Sequence, residues 1–303
     1  MRVLVIGNGF DMDLGLRTSY IDFYENSEFR KNMHVVPGSL EAYLKRGDCN
    51  INRWADLEES MARYVKSQTG KIYESIVETD RCFLNELKTT FYEFVIKRWI
   101  EIINDLNSKP VKHGIAKRLI EYQNQKKCFE YIYSFNCSNY MDLDLYSDGE
   151  IEYLPGVDNI HGMNNVFIFG ITKEDCTMEE YSFLVKENQN GYPYDVVRRM
   201  KENLFNADEV VIFGHSMNRI DMGYFKAFLQ HFSSTNKSQR RLTFITKDDK
   251  DMVQIKNNIE KYAEVQINEL KKNSVVSFIF TEDYDRNVNQ SDMKRFFARI
   301  ANQ

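Results

Sequence analysis

Val3-Leu4-Val5-Ile6 is an unbroken β-branched and leucine run that stops at Gly7-Asn8-Gly9. A strand without polar alternation is one buried on both faces, as in a parallel sheet covered by helices on each side. The glycine turn behind it lets the backbone fold sharply and bring N–H groups to a phosphate with no Cβ in the way. This opening predicts the first strand and turn of a Rossmann-like α/β core that holds a phosphate-bearing ligand.

Further runs of this kind come only much later, at Tyr131 to Phe135, Val166 to Phe169, Glu209 to Phe213, Leu242 to Ile245 and Val275 to Phe280. Asp221 to Phe232, Asp249 to Val265 and Gln290 to Ile300 carry apolar residues at helical spacing. The C-terminal half thus alternates strand and helix, the pattern of a doubly wound parallel sheet. Between Glu28 and Lys127 the period is helical instead. Trp54, Leu57, Met61, Tyr64 and Val65 share one helical face, and a second stripe runs from Ile76 to Leu106 until Pro110 interrupts it. The expectation is one domain over residues 1–303, with a mostly helical insertion at 28–127 that roofs the ligand site.

Forty Lys and Arg against forty-five Asp and Glu leave a net charge of −5, which gives a nucleic acid no global attraction. The short basic runs Lys126-Lys127 and Gln239-Arg240-Arg241 read as solvated surface. No apolar run approaches the ~20 residues of a membrane span, and the opening segment is too short for a signal peptide, so a cytoplasmic protein is expected. The five cysteines are scattered without a Cys-x-x-Cys pair, which argues against zinc, a disulfide framework or any other metal role.

Four places could carry chemistry. Gly7-Asn8-Gly9-Phe10-Asp11 follows the first strand but has Met12 where a dinucleotide fingerprint wants a third glycine, which disfavours an ordinary nicotinamide dehydrogenase. Asn136, at the end of the second strong strand, has donors and an acceptor for ribose hydroxyls or a water. His161, beside Gly162, suits a general base. Gly214-His215-Ser216 ends another strand, and Asp221 is placed to cap the next helix. Asn218 replaces the second glycine of a nucleophile elbow, so this segment suits a second phosphate or a ribose better than a serine hydrolase. The first three have plainer alternatives: a linking turn, a loop-capping asparagine and a structural histidine.

Taken in order, these elements resemble the bacteriophage abortive infection AbiH family, within the sirtuin-like group of NAD-binding Rossmann folds. The resemblance rests on Gly7-Asn8-Gly9-Phe10-Asp11 with Gly15-Leu16 and Thr18-Ser19-Tyr20, on Trp54-Ala55-Asp56-Leu57-Glu58, Phe135-Asn136 and His161-Gly162, and on Phe213-Gly214-His215-Ser216 with Asp221. It implies that Gly7, Asn8, Gly9, Phe10 and Asp11 meet the NAD pyrophosphate and that the loop at Gly15 closes over the nicotinamide end. Asn136 would organise ribose and water, His161 would act as the base, and Gly214, His215, Ser216 and Asp221 would receive the adenosine side. Cys137-Ser138 and Met217-Asn218 depart from the family's usual residues, and the sirtuin zinc module is missing, which disfavours a deacylase. The implied function is a phage-defence effector that binds NAD and hydrolyses its nicotinamide–ribose bond without a metal. The alternative is a non-catalytic nucleotide-sensing or scaffold module. NAD or a related nucleotide, a phage-derived trigger and a second copy of the chain are the candidate partners.

Overall fold

The structure is a computed structural model that describes residues 1–303 apart from 27–34, 46–55, 71–72, 107–113, 137–155, 164–165, 235–239, 286–289 and 302–303. Trp54-Ala55, Pro110 and Cys137-Ser138, singled out above, therefore lie outside the described residues. The chain divides into two compact units. One is assembled from Met1–Leu16, Trp99–Ile160 and Asp195–Gln303, and the other from Arg17–Arg98 and His161–Tyr194.

The first unit contains β1 (Arg2–Ile6), β2 (Tyr131–Ser134), β3 (Val157–Asn159), β6 (Glu209–Phe213), β7 (Arg241–Thr246) and β8 (Val275–Phe280); β4 (Gly162–Met163) and β5 (Val166–Phe167) belong to the second. The six strands of the first unit form one sheet in the order β3-β2-β1-β6-β7-β8. Every neighbouring pair is parallel. The chain builds outward from β1 in one direction through β2 and β3, then returns to the other side of β1 for β6, β7 and β8. This is the doubly wound Rossmann order, with its topological switch point between β1 and β6.

Burial explains why these runs became central strands. Leu4, Ile6, Ile132, Val211, Phe213, Ile245 and Ile279 join one hydrophobic cluster with Ile115, Leu119, Phe296 and Phe297. Those last four come from helices Ile115–Lys126 and Gln290–Ala301. Val3, Val5, Val210, Ile212, Leu242 and Phe244 alternate with that set and are equally buried. On their side, Asn203 of helix Tyr194–Asn206 donates to the Tyr133 hydroxyl at 2.7 Å. A strand covered on both faces needs apolar residues at every position, which is what the sequence shows.

In the second unit, helices Tyr20–Glu25, Leu40–Lys45, Leu57–Ser67 and the portion of Glu74–Leu106 up to Arg98 surround an aromatic core. Phe91 meets Phe23 at 5.0 Å, Phe167 at 5.5 Å and Phe169 at 6.3 Å between ring centroids. The run Val166 to Phe169, expected as a strand of the main sheet, is thus corrected. Its β5 portion pairs antiparallel with β4, and its phenylalanines are buried against helix residues. The position at the sheet edge goes to β3 instead. Arg240 also departs from expectation: it is buried, with its guanidinium over the Phe232 ring, and is not solvated surface.

Candidate functional site

At the switch point, the turns behind β1 and β6 lock together. Gly7 N–H donates to Phe213 O at 2.8 Å and Gly9 N–H to Gly214 O at 3.0 Å. A Cβ on Gly9 would stand 2.6 Å from Gly214 Cα, and Gly214 itself has φ +67°. Glycine is therefore required on both sides because backbone meets backbone, and in Gly214 also because of the left-handed conformation. The Gly7 and Gly9 amides, expected at a phosphate, are engaged by carbonyls of the β6 segment. Around them Asn8 is half-buried, while Gly15 and Ser216 are exposed.

Asn136 holds this arrangement from the neighbouring strand. Its Nδ2 donates to Gly7 O and to Asp11 Oδ1, both at 3.0 Å, and its carbonyl accepts from Asn159 Nδ2 at 2.9 Å. Both amide hydrogens are thereby committed to the turn and to the buried Asp11 carboxylate. Asp13, two residues further on, accepts from Ala116 N–H at 2.7 Å and so caps helix Ile115–Lys126, whose own N-cap Gly114 has no side chain to do it.

His215 is equally fixed. Met217 N–H donates to its Nδ1 at 3.0 Å, so that nitrogen offers its lone pair and the ring proton sits on Nε2, 3.4 Å from Asp221 Oδ2. Asn218 completes the loop, donating to Asp221 Oδ2 at 3.2 Å and accepting from Asp221 N–H at 2.8 Å. Asn218 is thus a built part of this turn. The imidazole edge packs on Phe135, with ring centroids 4.6 Å apart. The expected residues Gly7, Gly9, Asp11, Asn136, Gly214, His215 and Asp221 all belong to the first unit, whereas His161 belongs to the second.

In the second unit, His161 lies in a buried ionic cluster that sequence reading missed. Lys186 Nζ donates to Glu58 Oε2 at 3.0 Å and stands 3.4 Å from His161 Nε2, and Gly170 N–H donates to Glu58 Oε1 at 2.9 Å. Nothing local marks Lys186 as a buried residue; only Glu58, within the Trp54–Glu58 motif, carried a signal. A second cluster surrounds the fully buried Asp80. Tyr64 Oη is 2.6 Å from Asp80 Oδ2 and 3.0 Å from Gly38 O, Tyr181 Oη is 3.1 Å from Asp80 Oδ2, and Leu40 N–H donates to Oδ1 at 2.6 Å. Burial pushes the Asp80 carboxyl up against the hydrogen bonds from Tyr64, Leu40 N–H and Tyr181, which favour its carboxylate, and burial likewise raises the Tyr181 hydroxyl to about 12. Among the described residues, no group of His, Cys, Asp and Glu could hold a metal ion, and no helix is long and apolar enough to cross a membrane.

The sequence profile of the family described as Bacteriophage abortive infection AbiH matches residues 3–246. The chain belongs to this family. Membership in AbiH indicates a part in abortive-infection defence against bacteriophage, and the matched span runs from β1 to the end of β7, taking in every candidate residue named above. No curated protein matches this AbiH chain. A solved structure described as Sir2Tm bound to a propionylated peptide is similar over 96% of this chain and 93% of that one, with 11% identity and a TM-score of 0.40. A likeness at that level carries no argument of its own, so the Rossmann-like assignment rests on strand order and register.

Proposed function

We propose that this AbiH chain is a phage-defence effector that binds NAD or a related nucleotide at the carboxyl edge of β1 and β6 and hydrolyses the nicotinamide–ribose bond. The observation that supports this reading most is the pair of interlocked glycine turns at the switch point of the sheet, the place where open α/β sheets take nucleotides. In the reaction, the C–N bond to nicotinamide breaks, neutral nicotinamide leaves, and a water adds to the oxocarbenium-like ribose and loses its proton. In this reading Asn136 orients water or ribose and His161 serves in proton transfer. The reading also carries residues 28–127 as an insertion into one sirtuin-like domain, a cytoplasmic setting, and a phage-derived trigger.

The test incubates purified protein with NAD, with and without phage lysate, and follows nicotinamide by chromatography. His161→Ala and Asn136→Ala are each expected to lower turnover by about two to four orders of magnitude, the usual range for a lost general base. A nucleotide-binding module without turnover is the second reading. One observation favours it: the Asn136 amide hydrogens and His161 Nε2 already face protein partners. Measurable NAD affinity with no nicotinamide under any condition would select that reading.

A further inference from the structure

We infer that Lys186, anchored by Glu58, is a positioning residue that fixes the ring proton of His161 on Nδ1. The side chains of Lys186 and Glu58 are only 3% and 8% exposed, and their Nζ–Oε2 distance is 3.0 Å. Removing the charge from Lys186 would leave a buried carboxylate without its cation, so the pair keeps the amine as an ammonium. An ammonium has three N–H donors and no lone pair. Facing His161 Nε2 at 3.4 Å, it can only donate, and Nε2 must present its lone pair. The ring proton is then on Nδ1, the reverse of the arrangement at His215, where Nδ1 is the acceptor.

The surroundings hold this geometry. Lys186 N–H donates to Ile171 O at 3.1 Å, Ile171 N–H to Leu184 O at 2.8 Å, and Ile168 N–H to His161 O at 2.6 Å. Gly170, which donates to Glu58, approaches Leu184 so closely that a Cβ would stand 2.1 Å from its carbonyl oxygen. Base and cation are therefore carried on backbone segments bonded to each other or to Glu58. The functional consequence rests on the proposed function. With Nε2 turned to the Lys186 ammonium, His161 accepts a proton there only when Lys186 withdraws.

The experiment records long-range ¹⁵N–¹H correlations of the labelled full chain without nucleotide, with the His161 signals assigned by their loss in His161→Gln. The wild type should show a protonated Nδ1 and an unprotonated Nε2. The double variant Glu58→Gln with Lys186→Met removes both charges while keeping an acceptor for Gly170 N–H, and it should move the proton to Nε2, the form free imidazole side chains favour in water. Lys186→Arg, which keeps the cation, should retain the wild-type pattern. A wild-type spectrum with the proton on Nε2, or an unchanged pattern in the double variant, overturns the inference. If the double variant does not fold, a wild-type or Lys186→Arg spectrum with the proton on Nε2 still overturns the inference. Because no NAD is present, a failed turnover assay leaves this result intact, and a failed tautomer result leaves the turnover reading intact.

Discussion

The two units bury polar groups in different ways. In the first, several buried side chains finish the backbone at turns and helix starts: Asn136 to Gly7 O, Asp13 to Ala116 N–H, His215 to Met217 N–H. In the second, buried side chains gather into clusters that bond to one another, as Lys186 with Glu58 and His161, and Tyr64 and Tyr181 with Asp80. The contrast follows from architecture. A parallel sheet leaves unpaired amides and carbonyls where its strands stop, and side chains there are recruited to finish the backbone. Helices close their own backbone bonds, so a polar group buried among them must find a side-chain partner or titrate.

The sharpest way to break this comparison is at the interlocked turns. Gly9→Val forces a branched side chain to within 2.6 Å of Gly214 Cα, a backbone atom that cannot rotate away. Overpacking of this kind is expected to cost about 3 kcal/mol or more, with a fall of roughly 6–12 °C in Tm. A variant that melts like wild type and merely loses nucleotide binding would show that the two turns do not depend on this close contact. Asn136→Ala should cost less, about 1–3 kcal/mol by urea unfolding, because Gly7 O and Asp11 each lose a buried donor. Loss of turnover without loss of stability would move Asn136 from finishing the backbone to handling the ligand.

The smallest effect belongs to Asp80 and sharpens the other half of the comparison. Its carboxyl is raised from its ordinary value, chiefly by burial. The stability it contributes is complete below the ordinary carboxylate range and is lost as pH rises through the raised folded-state value. Asp80→Asn keeps the size of the side chain and cannot ionise. Denaturant midpoints measured from about pH 4 to pH 9 should fall with rising pH more steeply for wild type than for the variant. Parallel slopes would mean that Asp80 is ionised in the fold.

How much of this was legible in the sequence follows the same division. β1, β6 and β7 were visible because a strand buried on two faces must be apolar at successive positions, and β8, an edge strand with only Ile279 buried, was visible by its apolar composition. β3 was not: Val157-Asp158-Asn159 is a half-exposed edge strand of three residues, too short and too polar to stand out. Val166 to Phe169 had the right composition but the wrong burial partner, since hydrophobicity says that a segment is covered and not by what. Asn136 and His215 could be picked out by type and place, but their bonds to backbone set by distant strands could not. Lys186 was invisible, because what makes it unusual is a carboxylate 128 residues away in the chain.

The central position of β1 has a consequence for how this protein is made. Its two neighbours are β2, which pairs Tyr131 with Val3, and β6, which pairs Glu209 with Arg2. At typical synthesis rates, on the order of 5–20 residues per second, a nascent chain waits roughly 10–40 s between the emergence of β1 and the arrival of β6. Throughout that interval this apolar strand has no partner on one edge, and for much of it none on either. Such a topology folds late and depends on non-local pairing. The opening strand is therefore the segment a chaperone would have to shield, and the one most exposed to aggregation whenever synthesis stalls before β6.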